Sequence, residues 1–177
     1  MHTLIKKILE SYLFEKKIVQ SKDIDTGEPL LQEKLPIFIT AYDGETVVGS
    51  AGKIYPTQEK AIEELIENTI LMTKDERYTT YMENPEKARI LRYRVDVFRD
   101  SDRRLLHHPD DLNTATEGMI VLCQKQEKVG IILPRMLSSS LSGEEVYHHV
   151  IQKIHLDTKH LGKGDVILYA VKTETFE

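Results

Sequence analysis

The stretch PIFITAYDGETVVGSAG, residues 36–52, decides the fold class. Phe38 is flanked by Ile37 and Ile39, with Tyr42 close behind. Asp43-Gly44 then signals a hairpin, because glycine accepts the positive φ that a tight primed turn demands. Thr46, Val47 and Val48 start the return strand, and Gly49-Ser50-Ala51-Gly52 read as a turn that ends it. Two strands joined this closely are antiparallel, which points away from a doubly wound parallel sheet.

Working outward, Leu4, Ile5, Ile8, Leu9, Tyr12 and Leu13 recur at steps of one, three and four, the spacing of an amphipathic helix. It is expected to dock on the core rather than on a membrane. Residues 21–34 are polar, with Gly27 and Pro29, and read as a loop. After the hairpin, Pro56-Thr57 open a helix with Thr57 as its N-cap. Ala61, Ile62, Leu65, Ile66 and Ile70 form that helix's apolar stripe. Residues 79–87 read as a connection. ARILRYRVDVF, residues 88–98, alternates as a strand. Leu91, Tyr93, Val95 and Val97 take the buried face, and Arg92, Arg94 and Asp96 a solvated or polar-covered one.

Residues 101–118 form a long polar loop, a length that implies a function or a small element of its own. Met119–Cys123 and Val129–Leu133 read as a second hairpin. Ser142 and Glu145 make a capping box, opening a helix with Val146, Val150 and Ile154 on one stripe, widened by Tyr147 and Ile151. DVILYAVKTETF, residues 165–176, is a final strand. The order α, β-hairpin, α, β, β-hairpin, α, β predicts an α+β fold: an antiparallel or mixed sheet with packed helices. One domain over residues 1–177 is expected, with part of 79–118 as a candidate smaller lobe.

The 177 residues carry 24 basic and 29 acidic side chains, a formal charge of -5. That balance argues against a general nucleic-acid binder. A single cysteine, Cys123, excludes an intrachain disulfide framework and a cysteine zinc cage. Lys6 and Lys7 interrupt the N-terminal apolar run, and no stretch approaches a membrane span. A cytoplasmic location is expected.

The Gly49–Gly52 segment is the sharpest local feature. Two glycines let backbone approach a ligand, and N–H groups there can face an anion. It matches neither a dinucleotide fingerprint, a Walker loop nor a hydrolase elbow, so a plain tight turn is the competing reading. Asp75, Arg77 and Tyr78 follow the helix and can bind a polar ligand through charge-assisted hydrogen bonds; a structural ion pair explains them equally. Gly49, Ser50, Gly52, Asp75, Arg77 and Tyr78 are therefore the candidate ligand-binding residues. Arg89, Arg92, Arg94, Arg99, Arg103 and Arg104 cluster within sixteen residues, a patch that can receive phosphates. Interleaved Asp96, Asp100 and Asp102 weaken its field, so nucleic acid is a minor alternative. The pairs His107-His108 and His148-His149, and His155, fit no metal motif. No metal or cofactor is expected. Cys123 sits in an apolar strand and reads as a small buried hydrophobe.

Taken in order, five segments resemble the AMMECR domain family: residues 36–57, Asp75-Glu76-Arg77-Tyr78, ILRYRVDVF, residues 117–136 and residues 153–176. The first is similar to the family's F-V-T-L, hairpin, L-R-G-C-I-G and proline. The second is similar to its D-x-R-F, the third to its L-x-I-E-V-S-V-L strand. The last two are similar to its G-L-I-V to L-L-P-Q-V hairpin and its K-A-G-L to L-Y-x-F ending. The resemblance implies a compact α+β protein with a larger and a smaller lobe, and a prokaryotic gene neighbourhood with a Memo-type and a radical SAM protein. The family's activity is not established. In its most distinctive segment this chain carries Val48 for the family's arginine, Ser50 for its cysteine and Ala51 for its isoleucine, while Gly49 and Gly52 remain. A hydroxyl needs an adjacent base where a thiol ionises more readily. The expectation is therefore a non-catalytic binding or regulatory protein, acting on a protein partner or a small polar or anionic ligand. An enzyme acting on a small anionic or polar metabolite is the alternative. A homodimer is among the assemblies left open.

Overall fold

The computed structural model describes residues 1–24, 27–137, 140–162 and 164–177. Asp25 and Thr26 of the expected 21–34 loop, and Lys163 of the closing family-like segment, lie outside the described residues. The helices are α1 (His2–Glu10), α2 (Ala61–Met72), α3 (Thr79–Glu83) and α4 (Gly143–Lys153). The strands are β1 (Ile37–Asp43), β2 (Thr46–Gly52), β3 (Arg92–Val97), β4 (Arg103–Leu106), β5 (Gly118–Cys123), β6 (Lys128–Ile132), β7 (Val166–Val171) and β8 (Glu174–Phe176). Among the described residues they form two four-stranded antiparallel sheets, so the α+β expectation holds. The chain divides into two compact units, Met1–Val97 with Glu174–Glu177, and Phe98–Thr173.

In the first unit the strand order is β2-β1-β3-β8. The Asp43↔Thr46 pair closes the hairpin through Gly44-Glu45, and Gly44 takes φ +57. Of the expected N-terminal stripe, Ile5, Ile8, Leu9 and Leu13 are buried and Leu4 and Tyr12 half-buried; the expected α2 stripe, Ala61, Ile62, Leu65, Ile66 and Ile70, is buried throughout. They share one core with Ile37, Ile39, Tyr93 and Val95. Each buried leucine, isoleucine or valine among them contributes about 1.5–3 kcal/mol. Among the described residues no helix is long and apolar enough to cross a membrane.

Two expectations change in this unit and a third is narrowed. Thr57 is not the N-cap: α2 starts after Lys60, and the buried Glu64 carboxylate accepts the N–H groups of Thr57 and Gln58. Residues 79–87 are not a plain connection, because α3 and a 3-10 segment, Pro85–Ile90, occupy them. Of the two alternatives for the arginine-bearing face of β3, polar cover holds at Arg94 and Asp96, while Arg92 stays partly exposed. Arg94 and Asp96 are 4% and 0% exposed and pair at 2.7 Å.

In the second unit the order is β4-β7-β5-β6. The stretch 101–118 carries β4, which pairs with β7. The closing segment is two strands, β7 here and β8 in the first sheet, rather than one. The capping box forms as expected: Glu145 N–H donates to Ser142 Oγ at 3.2 Å, and Ser142 N–H donates to the Glu145 carboxylate at 2.7 Å. Val146 and Val150 of α4 are buried, and Gly130 of β6 leaves the space that Val150 and Ile154 fill. Cys123 is buried in this core.

Candidate functional site

The four residues Gly49 to Gly52, expected in a turn, are the second half of β2. They pair with β1 in the register Ala41↔Gly49, Thr40↔Ser50, Ile39↔Ala51 and Phe38↔Gly52. Neither glycine takes a positive φ. Small side chains of low strand propensity read as a turn in sequence. Here they are needed for packing. A Cβ on Gly52 would run into the Phe38 ring across the strand pair, and one on Gly49 would lie 3.0 Å from Tyr78 and 3.2 Å from Met72. The glycines thus seat two aromatic rings, one on each face of an edge strand.

Alternation along β2 then turns Ser50 away from the core that Gly49 faces. The chain past α2 comes back to meet it. Asp75 caps the 3-10 turn Glu76–Tyr78, accepting the Arg77 backbone N–H at 3.1 Å. Arg77 folds back on the same carboxylate with two parallel bonds, Nε to Oδ1 at 2.9 Å and Nη2 to Oδ2 at 2.6 Å. Nη2 also donates to Ser50 Oγ at 3.1 Å, and Ser50 N–H donates to Asp75 Oδ2 at 3.1 Å. Three residues named from sequence therefore converge in one hydrogen-bonded cluster.

Its electrostatics follow from that geometry. The Arg77 side chain beside Asp75 holds the carboxyl below its ordinary range, and the Arg77 and Ser50 backbone N–H groups act the same way. Asp75 in turn raises the guanidinium above its usual value. Asp75 is mostly covered, with 17% side-chain exposure, while Arg77 is 51% exposed. These bonds use Nε and Nη2, and among the described residues nothing engages Nη1. The cluster can offer a fixed, half-exposed guanidinium edge to an anion. Among the described residues Ser50 Oγ touches a donor, Arg77, and no base.

Tyr78 lies elsewhere. It is fully buried, its ring packs on Gly49, and its hydroxyl meets that of Tyr93 at 3.3 Å. Burial raises its phenol pKa. Sequence reading missed the row to which Ser50 belongs: the β1 and β3 registers set Ser50, Thr40 and Arg94 side by side on one face. Only strand register could have found it.

The six arginines are largely engaged. Arg89 pairs with Glu10, Arg92 with Glu177, Arg94 with Asp96, Arg103 with Asp100 and Arg104 with Glu117. Among the described residues no three His, Cys, Asp or Glu side chains come together to hold a metal ion.

No protein-family model and no curated protein sequence matches this chain. A solved structure with the same fold is that of the uncharacterized protein PH0010 from Pyrococcus horikoshii, 20% identical with a TM-score of 0.76. The match covers 98% of this chain and 87% of that one. At this identity the likeness establishes a shared fold.

Proposed function

We propose that this chain is a divergent relative of the AMMECR domain family and works as a non-catalytic binding or regulatory protein. Its recognition point is the Ser50–Asp75–Arg77 cluster, which receives an anionic group on a protein partner or a small ligand. The state of Asp75 carries this reading. Its carboxylate already accepts four N–H bonds and is held ionised well below neutral pH, so it is a poor proton carrier and a good anchor. What it anchors is a guanidinium with one edge to spare. The family part of the reading is supported by the five sequence segments in order, and the loss of the motif cysteine at Ser50 supports binding over thiol chemistry.

The test is a thermal-shift screen of carboxylates and phosphate esters on the wild type and on Arg77→Gln. A ligand that raises the melting temperature of the wild type and not of a folded Arg77→Gln supports the proposal. Ligands that stabilise both equally overturn it. Gly49→Val is the wrong control, because its side chain would press on Tyr78 and Met72 and confuse folding with binding.

A further inference from the structure

The first unit holds a cavity that the cluster above does not use. It measures about 260 Å³ and lies between the N-terminal helix and the 3-10 segment Pro85–Ile90. Leu9, Leu13, Phe14, Ala88 and Tyr93 line it, with Lys6, Glu10 and Arg89 around them. We propose that this cavity binds a small carboxylic acid with an apolar body, its carboxylate held by Lys6.

The shape argument starts from the helix. After α1 the chain widens into a π-helical turn, Ser11–Glu15, and ends at Lys16 in a left-handed conformation. Single π turns in helices are frequently found at functional sites. This one supplies Leu13 and Phe14 to the cavity wall. Tyr93 contributes its ring, since its hydroxyl donates to the Ala88 carbonyl at 2.9 Å and meets Tyr78. The wall is thus apolar. The volume falls just under the roughly 300–1,000 Å³ of drug-sized pockets, which restricts the ligand to a small molecule.

Charge selects the class. Arg89 is spoken for: it pairs with Glu10 at 3.1 Å and Glu86 at 3.0 Å, and stacks on Phe14 at 4.7 Å from the ring centroid. That arrangement makes Arg89 a fixed part of the wall and neutralises Glu10. Lys6 is different. It is half-buried, and its ammonium donates one bond, to the Arg89 carbonyl at 3.1 Å. Among the described residues it has no carboxylate partner. An ammonium carries three donors, so two remain beside an apolar cavity. A neutral apolar ligand would leave that charge uncompensated, and a cation would be repelled by it. A carboxylate completes it with a charge-assisted bond, strengthened by the low-dielectric wall.

The experiment is ligand-observed NMR titration with phenylacetate, hexanoate and 4-methylpentanoate, and with phenylacetamide as the uncharged control. At least one acid is expected to bind the wild type in millimolar titrations. The amide is expected to bind about tenfold more weakly than phenylacetate if phenylacetate binds, and Lys6→Met to weaken the acids by about tenfold. Arg77→Gln is expected to leave binding unchanged, which separates this cavity from the Ser50–Asp75–Arg77 cluster. Ala88→Met, which fills the cavity, is expected to abolish binding; if that variant does not fold, the Lys6→Met comparison decides. Failure of all three acids to bind, or binding that Lys6→Met leaves intact, overturns the proposal. So does binding that is lost in Arg77→Gln.

Discussion

Ser50 and Asp75 meet at the edge of the first sheet, where the Ser50 N–H donates to Asp75 Oδ2 at 3.1 Å. β2 is an edge strand, and edge N–H groups left open invite pairing with other chains. Asp75 closes this one and, with the same carboxylate, fixes Arg77. The edge plug and the anchor of the half-exposed arginine are one device.

Asp75→Asn should therefore lower stability at neutral pH by about 1 kcal/mol, a small figure because Arg77 is half exposed. The wild type should also show an acid dependence that the variant lacks. The folded pKa of Asp75 is depressed. Its stabilisation is then complete above the unfolded value, about 3.9, and is lost as pH falls through the lower folded value. Urea titrations of both proteins from neutral pH downward should converge in acid.

Gly52→Ala should cost about 1–3 kcal/mol, the usual range for overpacking, because the new methyl enters the Phe38 ring. Gly49→Ala should cost less, since its nearest neighbours stand at 3.0–3.2 Å. Chemical denaturation of the two variants side by side checks the order.

The Arg94–Asp96 pair is buried, and Asp96 also accepts the Thr175 hydroxyl at 2.8 Å. Asp96→Ala should destabilise by about 3–5 kcal/mol by leaving a buried charge uncompensated. Replacing both partners, as Arg94→Met with Asp96→Leu, should recover most of that loss. A double-mutant cycle measures the difference.

In the second unit, Ser142→Ala should cost about 1 kcal/mol by removing the N-cap acceptor of α4. Ser142→Asp should restore most of it. Hydrogen exchange of the first-turn amides of α4 gives the readout.

The sequence was most legible where one periodicity dominated. The α2 stripe is buried as its spacing predicts, those of α1 and α4 are buried at their centres (Ile5, Ile8 and Leu9; Val146 and Val150) and half-buried at their margins, and the Asp43-Gly44 hairpin and the Ser142–Glu145 box form as read. It misled where local chemistry and tertiary packing disagree. Gly49-Ser50-Ala51-Gly52 has turn composition, yet the segment is strand, and Phe38, Met72 and Tyr78 fill the space that side chains at Gly49 and Gly52 would take. Arg94 and Asp96 alternate like a wet face, and their mutual pairing, with the Thr175 hydroxyl on Asp96, makes burial tolerable. The split of residues 165–176 into β7 and β8 left no local signal, because both halves are strand-like and the choice of sheet is made by distant partners. For the site, the residue types Ser50, Asp75 and Arg77 were readable, but their meeting across 25 positions was not.

The central claim is that this cluster binds without converting what it binds. Ligands found by the thermal-shift screen to depend on Arg77 should be incubated with wild type and with Ser50→Ala, and the mixtures followed by mass spectrometry. The account predicts that every such ligand is recovered unchanged from the wild type. Conversion by the wild type that Ser50→Ala abolishes would contradict it and make Ser50 a catalytic residue.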